Sequence, residues 1–141
     1  MTAWVFERTE LVRFGHCDPA GIVFYPRYFE MLNAVVEDWF TQGLGVDYAQ
    51  LLGPRRVGMP SVRLSADFKR ISRMGDRLTQ RVAINKLGRS SLGLTIHFDG
   101  ADGCRVVFEQ VLVCTCLETH KAQPFPQDLR EALEQVYGHK Q

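Results

Sequence analysis

Between Tyr28 and Phe40, apolar residues return every three or four positions: Tyr28, Phe29, Met31, Leu32, Val35, Val36, Trp39 and Phe40. That is the period of an α-helix. The stripe is wide, so this helix must be covered over much of its circumference. Arg27, Glu30, Ala34, Glu37, Asp38 and Thr41 fill the remaining side. Pro26 suits the first helical position, where its missing N–H would have no partner anyway, and Gly43 is a stop. The spacing therefore predicts a helix from Pro26 to about Gln42. A helix this apolar needs a large apolar surface to lie on.

The rest of the chain supplies it as strands. Trp4 to Phe14 reads as a strand, with Phe6, Val12 and Phe14 on one parity. From Ser61 the period is two: Val62, Leu64, Ala66 and Phe68 alternate with Arg63, Ser65, Asp67 and Lys69. Leu78, Val82 and Ile84 mark the next strand. Leu92, Leu94, Ile96 and Phe98 mark another, closed by the turn residues Asp99-Gly100-Ala101-Asp102-Gly103. Arg105 to Leu117 reads as the longest strand, apolar on both parities near Val111-Leu112-Val113 and so predicted to be covered on both faces. Val46 to Leu52 is predicted as a short helix, and Gly53-Pro54-Arg55-Arg56 as a loop. Gln127 to Tyr137 reads as a terminal helix stopped by Gly138. A lone apolar helix and a sheet with one apolar face bury each other, which makes the fold class α+β, with the sheet wrapped around the helix.

The 141 residues fit one domain, 1–141, around one core. A net charge of +1 gives no field to draw in nucleic acid or a membrane surface. No apolar run approaches membrane-spanning length. Met1 to Arg8 lacks the basic-then-apolar order of a signal peptide, so a cytoplasmic location is expected. Cys17, Cys104, Cys114 and Cys116 match no standard zinc spacing. They read as small buried hydrophobes kept reduced, and no metal is expected.

Before the long helix lies Phe14-Gly15-His16-Cys17-Asp18-Pro19-Ala20-Gly21-Ile22-Val23-Phe24-Tyr25-Pro26. Gly, Pro and Asp make its first half a turn. Asp18 thus precedes a helix N-terminus, where unpaired N–H groups and the positive end of the macrodipole can polarise a carbonyl oxygen. A carboxylate beside such a terminus suits acyl chemistry. Asp before Pro is equally a turn former or a helix cap.

This segment resembles the signature of the hotdog-fold acyl-CoA thioesterases, the 4-hydroxybenzoyl-CoA thioesterase-like family, most closely over Asp18-Pro19-Ala20-Gly21-Ile22-Val23 and Tyr25-Pro26. Asp67-Phe68-Lys69-Arg70 and Gly75-Asp76 follow in the family's order. The resemblance implies a hotdog fold of about five antiparallel strands around the helix. It also implies a homodimer, commonly paired again into a tetramer, with active sites between subunits. The matching acid, Asp18, would attack the thioester of an aryl- or short/medium-chain acyl-CoA or activate a water. The Tyr25 backbone N–H would polarise the carbonyl, since Pro26 cannot donate; the Tyr25 ring is also a lid over the helix start. Gly21 belongs to the motif.

His16 stands where relatives often carry an acid; it would orient Asp18, or simply bond backbone in its loop. Cys17 is a thiol beside the thioester or an inert core residue. Asn33 stands where 4-hydroxybenzoyl-specific enzymes carry an acid that recognises the ring hydroxyl. Asn can hydrogen-bond there without charge, or lie on the helix's polar side. Lys69, Arg70, Arg89, Ser90 and Ser91 are candidates for holding the coenzyme A phosphates, or ordinary solvated residues. Coenzyme A is part of the substrate, so no cofactor is expected. An acyl carrier protein is a possible partner, making an acyl-acyl carrier protein thioesterase the runner-up. A non-catalytic acyl-CoA binding module has little use for an acid beside the thioester.

Overall fold

The computed structural model describes residues 3–138. Met1 and Thr2, which enter the signal-peptide reading, lie outside the described residues, as do 139–141 of the 1–141 domain range. The main sheet has five antiparallel strands: β1 (Phe6–Leu11), β3 (Ser61–Phe68), β4 (Arg77–Leu87), β5 (Ser91–Gly100) and β6 (Gly103–Val113). Their order is β1-β4-β5-β6-β3. The helix α1 (Tyr25–Asp38, 14 residues) continues into a π-helical turn, Trp39–Gly43. Pro26 is its second residue rather than its first, because Phe24 takes the capping position.

Along β4, β5 and β6 one parity is buried: Leu78, Val82 and Ile84; Leu92, Leu94, Ile96 and Phe98; Val106, Phe108 and Leu112. These pack with Tyr28, Met31, Leu32, Val35 and Val36 of α1 in one cluster. The π-turn, closed by the Leu44 N–H donating to the Trp39 carbonyl at 2.8 Å, lets consecutive Trp39 and Phe40 both point inward; each is fully buried. Phe98 meets Phe108 edge-to-face at 5.1 Å, and Tyr28 at 6.3 Å, so the sheet centre and the first turns of α1 are locked together.

Six sequence expectations need correction. The first strand ends at Leu11. Phe14 lies in a short 3-10 turn, Phe14–His16, and is 82% exposed, because Val12 is already bonded to the turn after β3 through Asp76 and Gly75. The longest strand breaks at Cys114. Thr115–Cys116 (β7) turns away to pair with Val57–Gly58 (β2), a strand too short to show a period, in a separate two-stranded sheet. Val111 and Val113 are only half-covered, so β6 is packed on one face. Of the four cysteines only Cys114 is buried. The short helix α2 is Tyr48–Leu52, and the terminal helix α3 is Gln127–Gly138, so Gly138 sits within it rather than beyond it.

Edge strand β3 pairs with β6 on one side only. Leu64, Ala66 and Phe68 pair with the inward residues Gln110, Phe108 and Val106, but Val62 falls at a register shift and is 61% exposed, and Phe68 is 50% exposed. Phe68 reaches the helix start, 6.3 Å from the Tyr25 ring and 5.9 Å from the Tyr28 ring.

Candidate active site

The loop between the 3-10 turn and α1 is a small hairpin. Cys17 and Val23 form a bridge, the Asp18 N–H donates to the Ile22 carbonyl at 3.0 Å, and the Gly21 N–H donates to the Asp18 carbonyl at 2.9 Å. Gly21 takes φ +83°, which L side chains rarely adopt. One Asp18 carboxylate oxygen, Oδ1, accepts the Ala20 N–H at 2.9 Å, an Asx turn. Asp18 lines a cavity of about 400 Å³ with Phe14, Cys17, Pro19, Gly21 and Met74, and its walls are mostly apolar.

Three contacts fix this hairpin to the body. The Phe24 N–H donates to the His16 carbonyl, the Val23 N–H donates to the Ser72 carbonyl, and Ile22 bridges Arg73. The 71–76 turn is held in its turn by Arg105. Its buried guanidinium donates to the Ile71 carbonyl, Ser72 Oγ and Asp76 Oδ2 at 2.9–3.0 Å. The Arg73 N–H and the Arg105 guanidinium hold the Asp76 carboxyl below the usual carboxylate range. Ser72 also hydrogen-bonds the buried Tyr28, whose phenol burial pushes up. The acid-bearing loop therefore hangs on a buried polar network.

Beyond the hairpin, α1 begins without a side-chain cap, so Tyr25 carries one of the N–H groups that has no acceptor within the helix. Tyr25 lines a second cavity, about 260 Å³, with Ile22, Tyr28, Phe68, Lys69 and Arg70. Asp18 lines the first cavity and Tyr25 the second, with the consecutive residues Gly21 and Ile22 of the same loop lining one each. Lys69 and Arg70 join Tyr25, as the motif order implies; both N–H groups donate to the Arg105 carbonyl, and Arg70 lies 3.6 Å from Asp102.

The remaining candidates are elsewhere. His16 Nδ1 accepts the Arg13 N–H at 2.8 Å, so its ring closes the 3-10 turn instead of reaching Asp18. Arg89, Ser90 and Ser91 form the β4–β5 turn, where Ser91 pairs with Val113. They lie about 25 Å along β6 from Lys69 and Arg70 at the rise of an antiparallel strand; one chain does not bring the two groups together. Asn33 is exposed on α1 and lines a third cavity, about 310 Å³, with Tyr48, Ser61 and Gln110. Buried Gln110 donates from Nε2 to Ser61 Oγ at 2.8 Å, and its Oε1 has no partner among the described residues.

Phe14, Met74 and Gln110 were not singled out by sequence. Phe14 reads as the end of a strand, and Met74 lies far from Asp18 along the chain; the Ile22–Arg73 bridge and the Val23–Ser72 hydrogen bond bring it there. A lone Gln inside an apolar run was the one available signal for Gln110.

Residues 12–133 match the family model of the thioesterase-like superfamily. The chain belongs to the thioesterase-like superfamily. Over 81 residues it is 35% identical to 4-hydroxybenzoyl-CoA thioesterase of Pseudomonas sp. (strain CBS-3), a match spanning 57% of this chain and 57% of that protein. Over 125 residues it is 28% identical to 1,4-dihydroxy-2-naphthoyl-CoA hydrolase of Thermosynechococcus vestitus, covering 88% of this chain and 84% of that one. The solved structure of a gentisyl-coenzyme A thioesterase superposes with TM-score 0.81 at 27% identity, over 90% of this chain and 98% of that one. The five-stranded sheet on its long helix is the hotdog arrangement that this thioesterase superfamily shares.

Proposed function

We propose that this chain hydrolyses the thioester of an aryl-CoA, with Asp18 as nucleophile or general base and the Tyr25 N–H polarising the thioester carbonyl. A thioester hydrolase acting on acyl-CoA is what membership of the superfamily and the two enzyme relatives support. The observation that carries the role of Asp18 is its position: a carboxylate with one oxygen held by Ala20, on a mostly apolar cavity, in the hairpin that leads into an uncapped helix. The other oxygen is free to attack the carbonyl carbon, forming a mixed anhydride that water opens, or to take a proton from an attacking water. The aryl acyl group follows from the relatives, each of which is named for an aromatic acyl-CoA.

Lys69 and Arg70, beside Tyr25, suit the phosphates of coenzyme A; Asn33 lies on a separate cavity of the chain, so an uncharged hydrogen bond from it to a ring substituent is assigned across the dimer. We assign the active unit to a homodimer. The open edge of β3 exposes Val62, Leu64 and Phe68, an edge that a second copy would pair and cover. No helix of the described residues is long and apolar enough to cross a membrane; a single domain in the cytoplasm is our reading of the chain. The test is thiol release from a panel of aryl- and alkyl-CoA substrates and acyl carrier proteins. Release above background from aryl-CoA supports the proposal, and binding without release from every substrate refutes it.

A further inference from the structure

The outer face of the sheet, opposite α1, carries a donor cluster that the proposed hydrolysis does not use. His97 and Asp99 stand two apart on β5, so both side chains leave by that face. The β5–β6 ladder then slips: Phe98 pairs with Val106, but Asp99 pairs with Cys104. Arg105 is the extra residue of this bulge. A bulge re-aims the side chains around it; here it sends Arg105 to Ser72 and Asp76 and sets Cys104 opposite Asp99. One ligand atom from each of His97, Asp99 and Cys104 lies within 4.8 Å of the others, and all three residues are half-buried. The Asp99 carboxylate is already oriented, its Oδ2 accepting from Arg81 Nη1 at 2.9 Å, which leaves Oδ1 for another partner.

We propose that a His97 ring nitrogen, Asp99 Oδ1 and the Cys104 sulfur bind one zinc ion, with water in the fourth position. Imidazole, thiolate and carboxylate are the donors zinc takes, whereas calcium and magnesium require oxygen throughout. At zinc's bond lengths, tetrahedral donors sit about 3.3–3.8 Å apart, so donor atoms now within 4.8 Å of one another must draw together by about 1 Å. Binding breaks the Cys104 S–H bond and forms a zinc–sulfur bond; the proton goes to solvent and no electron is transferred. Burial first, then the neighbouring Asp99, pushes the Cys104 thiol up to about 11, against the pull of Lys69. Arg81, shared between Asp99 and Glu7, is the other charge facing the cluster. The ion would be a clip rather than a reagent: it pins the bulge whose Arg105 holds the 71–76 turn.

The test uses untagged full-length protein, stripped of metal by chelation, titrated with zinc by calorimetry in two buffers of different ionisation enthalpy and with cobalt(II) by absorbance. One zinc per chain, release of about one proton on binding, and a near-ultraviolet thiolate-to-cobalt band are expected. Cys104→Ser should abolish the band. It and His97→Asn should each weaken zinc binding by about tenfold or more, while Cys17→Ser keeps the band. Cys104→Ala replaces the serine variant if that one does not fold. No zinc binding, no cobalt band, or binding unchanged by loss of the Cys104 sulfur would overturn the site, whatever the thioesterase assay shows.

Discussion

The Asp18 carboxylate accepts the Ala20 N–H through one oxygen only, at 2.9 Å. That bond fixes the side chain by its own loop and leaves the second oxygen for chemistry. An Asn at this position keeps the same acceptor and loses the charge. Asp18→Asn is therefore expected to fold and to bind acyl-CoA, with kcat lowered about 10²-fold or more. Steady-state thiol release and a thermal melt check it. Turnover within a few-fold of wild type would remove Asp18 from the mechanism.

Gly21 closes that loop at φ +83°, with nothing within 4 Å of where a Cβ would sit. Space is not the obstacle; conformation is. Gly21→Ala should cost about 1–2 kcal/mol, the penalty for an L residue in the left-handed region. Because the strain falls on the hairpin carrying Asp18, kcat should drop as well. Denaturant unfolding beside kinetics measures both, and unaltered stability would contradict the backbone reading.

Asp76 ties stability to pH. Its folded pKa is lowered, first by the Arg73 N–H and then by Arg105. Its contribution is thus complete above the ordinary carboxylate range and is lost as pH falls through the depressed value. Wild-type Tm should fall on acidification through and below that range, and Asp76→Asn should be less stable at neutral pH with a shallower acid limb. Parallel Tm curves for the two proteins would exclude this linkage.

Lys69 and Arg70 are exposed beside Tyr25, so their attraction for phosphate is open to screening. Raising ionic strength from about 0.01 to 1 M shortens the screening length from about 30 to 3 Å. KM for acyl-CoA should rise several-fold with little change in kcat, and the Lys69→Ala/Arg70→Ala double variant should show a high KM that salt no longer moves. A KM insensitive to salt in the wild type would place the phosphates elsewhere.

The long helix and the alternating strands were readable because burial imposes a period on local sequence. Val35 and Trp39, or Leu94 and Ile96, report their own environment. The β6–β7 break at Cys114 was not readable, since Val111 to Cys116 is apolar enough to continue and only pairing with Val57–Gly58 diverts it. In the site, the turn residues Asp18, Gly21 and Pro26 marked the loop and the helix start. The separation of Arg89–Ser91 from Lys69–Arg70 depended on strand register, and no local pattern encodes register between distant strands.

The sequence by itself determined the apolar helix, the two-residue alternation that gives it a sheet to lie on, and the acid placed in the turn before it, because each is a short-range consequence of side-chain chemistry. Tertiary structure alone decided that Met74 faces Asp18, that Arg105 leaves its strand for Ser72 and Asp76, and that Cys104 meets Asp99 and His97. Those meetings depend on which strands pair and where the ladder slips, and the whole chain must condense before either is fixed.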